Sequence, residues 1–131
     1  MRRIGTLAVA LILGACGGND DDDGDAATFC DRLDRLTEND PFLAFGDTAT
    51  ADEIEQAFGA LVDRAQELVD VAPPEARAAA RDYAESAGAV DALMAGAGYD
   101  GTAVDARAYR TQQLAYADAS RLLLRYLESE C

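Results

Sequence analysis

The chain has no histidine, no lysine and no tryptophan among its 131 residues. Missing histidine removes the side chain that most often moves protons near neutral pH and the commonest transition-metal ligand, and with it the Glu-x-x-His sites of metal-binding bundles. Proline is rare, at three residues, and glycine and β-branched residues are sparse outside a few punctuating spots. That scarcity, with abundant alanine, favours helix over sheet. Positive charge is scarce as well: 11 arginines face 25 acids, for a net charge of −14. So acidic a chain excludes a nucleic-acid partner. No P-loop or GxSxG pattern occurs, and no carboxylate recurs on any apolar stripe, so no catalytic residue, metal site or cofactor is assigned.

What is present begins with an export pattern. Arg2 and Arg3 open the chain, Ile4 to Leu13 is apolar, and Gly14 and Ala15 are small residues before Cys16. A helical membrane span needs about 20 apolar residues; the acidic tract that follows stops this run far short, so it reads as a leader over residues 1–15. The four residues Leu13-Gly14-Ala15-Cys16 resemble the lipobox of bacterial lipoproteins. That resemblance covers residues 1–16 and implies a diacylglycerol on the Cys16 sulfur and, in many species, a further acyl chain on its amine. Two chains suffice for stable anchoring. The alternative on the residues alone is an ordinary secretory leader with Cys16 an incidental thiol. Once the leader is removed, nine arginines face all 25 acids, a net charge of −16.

Residues 16–28 read as a lipidated cysteine and a flexible acidic tether, rich in glycine and aspartate from Gly17 to Asp25, a composition that buries too little to offset the entropy of ordering. Asn19, Asp21, Asp23 and Gly24 imitate the first half of a calcium-binding EF-hand loop, but the twelfth position, where a bidentate glutamate belongs, is Cys30. A solvated spacer is the better reading. Repulsion among the aspartates, and between them and anionic lipid, is expected to hold the folded part off the membrane.

From residue 29 to 131 the pattern predicts an all-α domain, an up-and-down antiparallel helical bundle of three long helices and a short first one. Phe29, Leu33 and Leu36 recur at helical spacing, with Thr28 and Asp31 as a capping pair, and a short helical turn is expected from Pro41 to Phe45. Thr50 and Glu53 form a capping box ahead of a wide stripe: Ile54, Phe58, Leu61, Val62, Ala65, Leu68 and Val69. Ala72-Pro73-Pro74 stops that helix, and Pro74 opens the next. The third helix presents Ala76, Ala79, Ala80, Tyr83, Ala87, Val90 and Met94 on one face, small enough for a neighbour at about 8 Å. The last helix, with Thr102 and Asp105 as its cap, is expected to turn Val104, Ala108, Ala115, Ala119, Leu122 and Tyr126 inward, flanked by Tyr109, Tyr116, Leu123 and Leu127.

An even number of helices brings the ends of the body together, so Cys30 and Cys131 are expected to pair in an exported protein, where disulfides persist. The alternatives are two unpaired thiols or links to other chains. Arg107, Arg110, Arg121 and Arg125 share the side of the last helix opposite its stripe. They read either as a docking ridge for an anionic partner or as ordinary surface ion pairs. The alanine-rich, all-arginine body between paired cysteines is similar in style to small helical lipoproteins of actinobacteria, a likeness that carries no site residues. The function expected is a non-catalytic one: a lipid-anchored bundle outside the cytoplasm, at the cell membrane, acting through contacts with envelope proteins. The alternative is a small-ligand carrier with a pocket between helices. An apolar cavity of about 300 Å³ or more would favour the carrier, and an exposed apolar patch would favour a protein partner.

Overall fold

The computed structural model describes residues 26–38 and 49–131. Within them the chain forms four helices and no strand: α1 (Ala26–Glu38), α2 (Ala51–Val71), α3 (Pro74–Gly96) and α4 (Ala106–Glu130). This is the expected all-α bundle. The leader, Cys16, the acidic stretch to Asp25 and the short turn expected over 41–45 lie outside the described residues.

Local chemistry sets most of the boundaries. Thr50 Oγ1 accepts from the Glu53 N–H at 3.2 Å while Glu53 Oε2 accepts from the Thr50 N–H at 2.9 Å. This reciprocal pair satisfies two donors that the first turn of α2 would otherwise leave open. Ala72 and Pro73 are extended and Pro74 takes the first position of α3, so the prolines end one helix and start the next without an unsatisfied amide.

Two expected caps differ. α1 already begins at Ala26, so Thr28 lies inside its first turn and not at its start. The two alanines are strong helix formers, and Phe29, fully buried, holds that turn against the body. At the other end Asp105 alone caps α4, accepting from the Ala108 N–H at 2.7 Å. Thr102 instead donates its N–H and hydroxyl to Asp100 within the preceding turn. A carboxylate placed directly before the helix benefits from the positive end of the helix dipole, which a threonine three residues earlier cannot reach.

The helices form a four-cornered ring. α3 packs on α2 and on α4, and α1 packs on α2 and on α4, whereas no Cα atoms of α2 and α4 come within 8 Å of each other. α2 and α4 are therefore diagonal, and in an up-and-down bundle they run in the same direction. Phe58, Leu61, Ala65 and Leu68 are buried from α2, and Ala76, Ala80, Tyr83, Ala87, Val90 and Met94 from α3, as their spacing predicts. α1 contributes Phe29, Leu33 and Leu36. Its 13 residues measure about 20 Å against about 37 Å for α4. At the shared end Cys30 and Cys131 form a disulfide with their Cα atoms 5.8 Å apart. Beside it Phe29 meets Tyr126 edge to face, with centroids 5.3 Å apart.

Among the described residues no helix is long and apolar enough to cross a membrane.

Closing 101 residues of chain should stabilise the fold by about 4 to 5 kcal/mol on the chain-entropy account. Replacing both Cys30 and Cys131 by serine should therefore lower the unfolding free energy by up to that amount, measured by urea titration; a change below about 1 kcal/mol would contradict it. The phenols of Tyr99, Tyr109 and Tyr126 are all raised above 10.0, in each case first by desolvation, with Asp91 adding at Tyr99 and Glu75 and Glu130 at Tyr126. The folded chain thus holds these protons more tightly than the unfolded one. The stability they supply is complete below pH 10.0 and disappears as the pH rises through the raised values. Thermal melts followed by circular dichroism should be level to about pH 9.5 and fall beyond it.

Candidate functional site: the outward side of the last helix

The buried arc of α4 is not the expected one. Tyr116, Ala119 and Leu123 are buried, with Tyr109, Tyr126 and Leu127 packed against the core, whereas Ala115 and Leu122 face solvent. The helix is rotated toward residues that had read as its flank. Its aromatic pairs set the rotation: the rings of Tyr83 and Tyr116 lie 4.9 Å apart, and their hydroxyls share a buried hydrogen bond of 2.8 Å. Burying a tyrosine ring removes far more apolar surface from water than burying Ala115 would. Each hydroxyl gives the other the partner that a buried phenol requires.

Rotation leaves Leu122 outside, and two further leucines lie off the buried arc. Leu114 is 56% exposed, Leu122 49% and Leu124 41%, and these are the exposed large hydrophobics among the described residues. All three lie on α4. The same helix carries Arg107, Arg110, Arg121 and Arg125, all exposed on the side turned away from the core, as their spacing predicts. Arg121 pairs with Asp118 one turn earlier, and Asp118 is the only acid between residues 106 and 127. Leu114 sits between the two arginine pairs. A chain of net charge −14 therefore presents one face that is both cationic and apolar.

A second feature borders this face. Between α3 and α4 runs a groove of about 470 Å³ floored by Ala89, Ala115, Ala119 and Leu122 and rimmed by Asp82, Glu85 and Asp118. Ala89 and Gln112 carry it on into a hollow of about 600 Å³ bounded by Leu93, Ala108 and Arg107. Both stretches are open to solvent. Ser86 lines the first but is already satisfied, its hydroxyl lying 2.8 Å from Asp82 O and 3.0 Å from Tyr83 O. Among the described residues no buried side-chain nitrogen or oxygen lacks a partner. No buried polar group in the groove awaits a ligand.

The turn between α3 and α4 contains the one strained residue among those described. Gly98 and Tyr99 both take left-handed backbone, at φ 63° and 57°, a conformation that glycine accepts freely and tyrosine does not. Tyr99 is held there by its N–H, which donates to Met94 O at 2.8 Å, and by its hydroxyl, which donates to Asp91 Oδ1 at 2.9 Å. Asp100, holding the Thr102 hydroxyl and amide, keeps its carboxyl below the usual range. The Tyr99 bonds tie the turn back to the end of α3 and the Asp100 bonds lie within the turn, which accounts for the strain as a way of reversing the chain.

Comparison with protein-family models, curated proteins and solved structures finds no match. The site is therefore read from its own chemistry. Among the described residues no three Cys, Asp or Glu side chains gather in a metal-holding group. Tyr83, Tyr109, Tyr116 and Tyr126, the aromatics that could have lined a cavity, serve as core and rim packing. Leu114 and Leu124 belonged to no apolar stripe. Their only sequence signal is a large hydrophobe out of phase, Leu114 standing between arginines in an otherwise polar sector.

Replacing Leu114 and Leu122 by serine should change unfolding free energy by less than about 0.5 kcal/mol each, because neither fills the core. Retention on a hydrophobic-interaction column should fall clearly for the double variant. A large loss of stability would show that these side chains are structural after all.

Proposed function

We propose that the chain is a lipid-anchored bundle on the outer side of the cell membrane that works by binding other proteins of the envelope and catalyses nothing. The observation that carries the binding half is the α4 face, where three exposed leucines sit among four arginines. Large apolar side chains together with arginine are the composition of association surfaces. Arginine suits the task, since its planar fork meets carboxylates in two parallel hydrogen bonds. The anchoring half rests on the likeness of Leu13 to Cys16 to a lipobox. The Cys30–Cys131 bond supports it, because such bonds persist outside the cytoplasm.

A small-ligand carrier is the second reading, and the α3–α4 groove favours it by size: 470 Å³ falls within the range of about 300 to 1,000 Å³ found for ligand pockets. Its openness counts against it, since a pocket of that class encloses most of its ligand's surface.

Feeding cells a tagged fatty acid should label the native chain and leave Cys16→Ala unlabelled and released from membranes. A photo-reactive residue in place of Leu114 should capture protein in intact cells. An unlabelled native product, or capture of small molecules alone, would overturn the reading.

A further inference from the structure

α2 and α4 stand at opposite corners of the bundle and point the same way, and their outward faces are opposite in charge. α2 carries six acids and one arginine over its 21 residues. Asp52, Asp63, Glu67 and Asp70 are exposed, and their spacing puts them on the side away from the buried Phe58, Leu61, Ala65 and Leu68. α4 carries four arginines and one acid from residue 106 to 127.

The spacing of the two sets matches. Arg110, Arg121 and Arg125 are separated by eleven and four residues, and so are Asp52, Asp63 and Glu67. Eleven residues of helix return to within about 20° of the same direction and four to within about 40°, so each triad forms one ridge about 22 Å long. We infer that the arginine ridge of α4 docks, parallel, on the acidic ridge of α2 in a second copy of this chain, with Arg110 at Asp52, Arg121 at Asp63 and Arg125 at Glu67.

In that register Leu114 comes level with Gln56 and the small residues Gly59 and Ala60. Gly59 lies on the acidic side of α2, four residues before Asp63. Its missing side chain serves nothing inside the chain, because a Cβ there would meet no atom within 4 Å. A helix-interior glycine nonetheless costs about 1 kcal/mol against alanine. The step it leaves in the ridge receives Leu114.

Exposed ion pairs contribute only about 0 to 1 kcal/mol each, and two of these groups already have partners in their own chain: Arg121 with Asp118, and Glu67 with Arg32 at 3.8 Å. The charges therefore set register and direction, while burial of Leu114 supplies attraction. Glu128 falls level with Asp70, a like pair that ends the contact at the last turn. This inference rests on the reading that α4 is a protein-binding face, and it names the protein. Copies tethered to one membrane share their orientation, which a parallel contact needs, and confinement raises their effective concentration. Since the two faces differ, the contact is heterologous and leaves one of each kind free, giving rows or closed rings.

The test uses the full chain in the cell envelope, with Gln56→Cys and Gln113→Cys together, which keeps Leu114, and a short bis-maleimide as crosslinker. The expected result is a ladder of dimer, trimer and higher species from the double variant and none from either single variant. Arg110→Glu, Arg121→Glu and Arg125→Glu together should reduce the ladder at least tenfold, and adding Asp52→Arg, Asp63→Arg and Glu67→Arg to the same chain should restore it. Monomer alone, a dimer from Gln113→Cys alone, or a ladder indifferent to charge reversal would overturn the inference. Capture of a different envelope protein or of lipid at position 114 without the ladder would also overturn it, the protein leaving the envelope-contact reading in place. An intact ladder on a chain without lipid at Cys16 would sink the anchor and leave the self-contact standing.

Discussion

The closure of α1 onto the end of α4 is the constraint on which the remaining architecture depends. A helix of 13 residues is marginal in water by itself. Here it is held at one residue by a covalent bond and at the adjacent residue by packing, since Cys30 reaches Cys131 while Phe29 is fully buried and meets Tyr126 edge to face. With α1 in place between α2 and α4, those two helices become diagonal neighbours whose backbones stay apart. Their parallel direction and their separate outward faces follow from that arrangement, and so does the room for two surfaces of opposite charge on one small body.

Much of this order was legible in the residues, and what was not has identifiable causes. The capping box at Thr50, the proline stop after α2 and the inward faces of α2 and α3 are local or strongly periodic, and the structure reproduces them. The rotation of α4 was not legible, because its apolar residues cover more of the circumference than its neighbours can bury. Which part turned inward was decided by a distant pairing, the hydroxyl and ring contact of Tyr83 with Tyr116, 33 residues apart. Caps failed where two candidates lay close together: Thr102 lost to Asp105, and Thr28 was overtaken by a helix that had already begun. The arginine ridge was legible from spacing alone. The leucines between its members were not, since nothing local says that a leucine outside the stripe will find no cover.

The distribution of charge is more informative than its sum. A net charge of −14 keeps such a chain soluble and sets its long-range repulsion from other acidic bodies. Within about a Debye length of 8 Å at physiological salt, however, an approaching surface meets individual faces and not the total. Near α4 it meets guanidinium groups and aliphatic side chains. The acidic surround repels carboxylates elsewhere, so an approaching acidic face finds attraction at that helix.

The sulfur bridge also has a mechanical meaning. A pull arriving from upstream of α1 passes through its first five residues and crosses directly to Cys131, the residue that follows α4, leaving the 101-residue loop between them without tension. If the opposing grip is on the side of α4, the load runs along that one helix in shear, and α2 and α3 are bystanders. Anchored upstream and gripped at α4, as proposed, the body would transmit force between the two points without being asked to stretch.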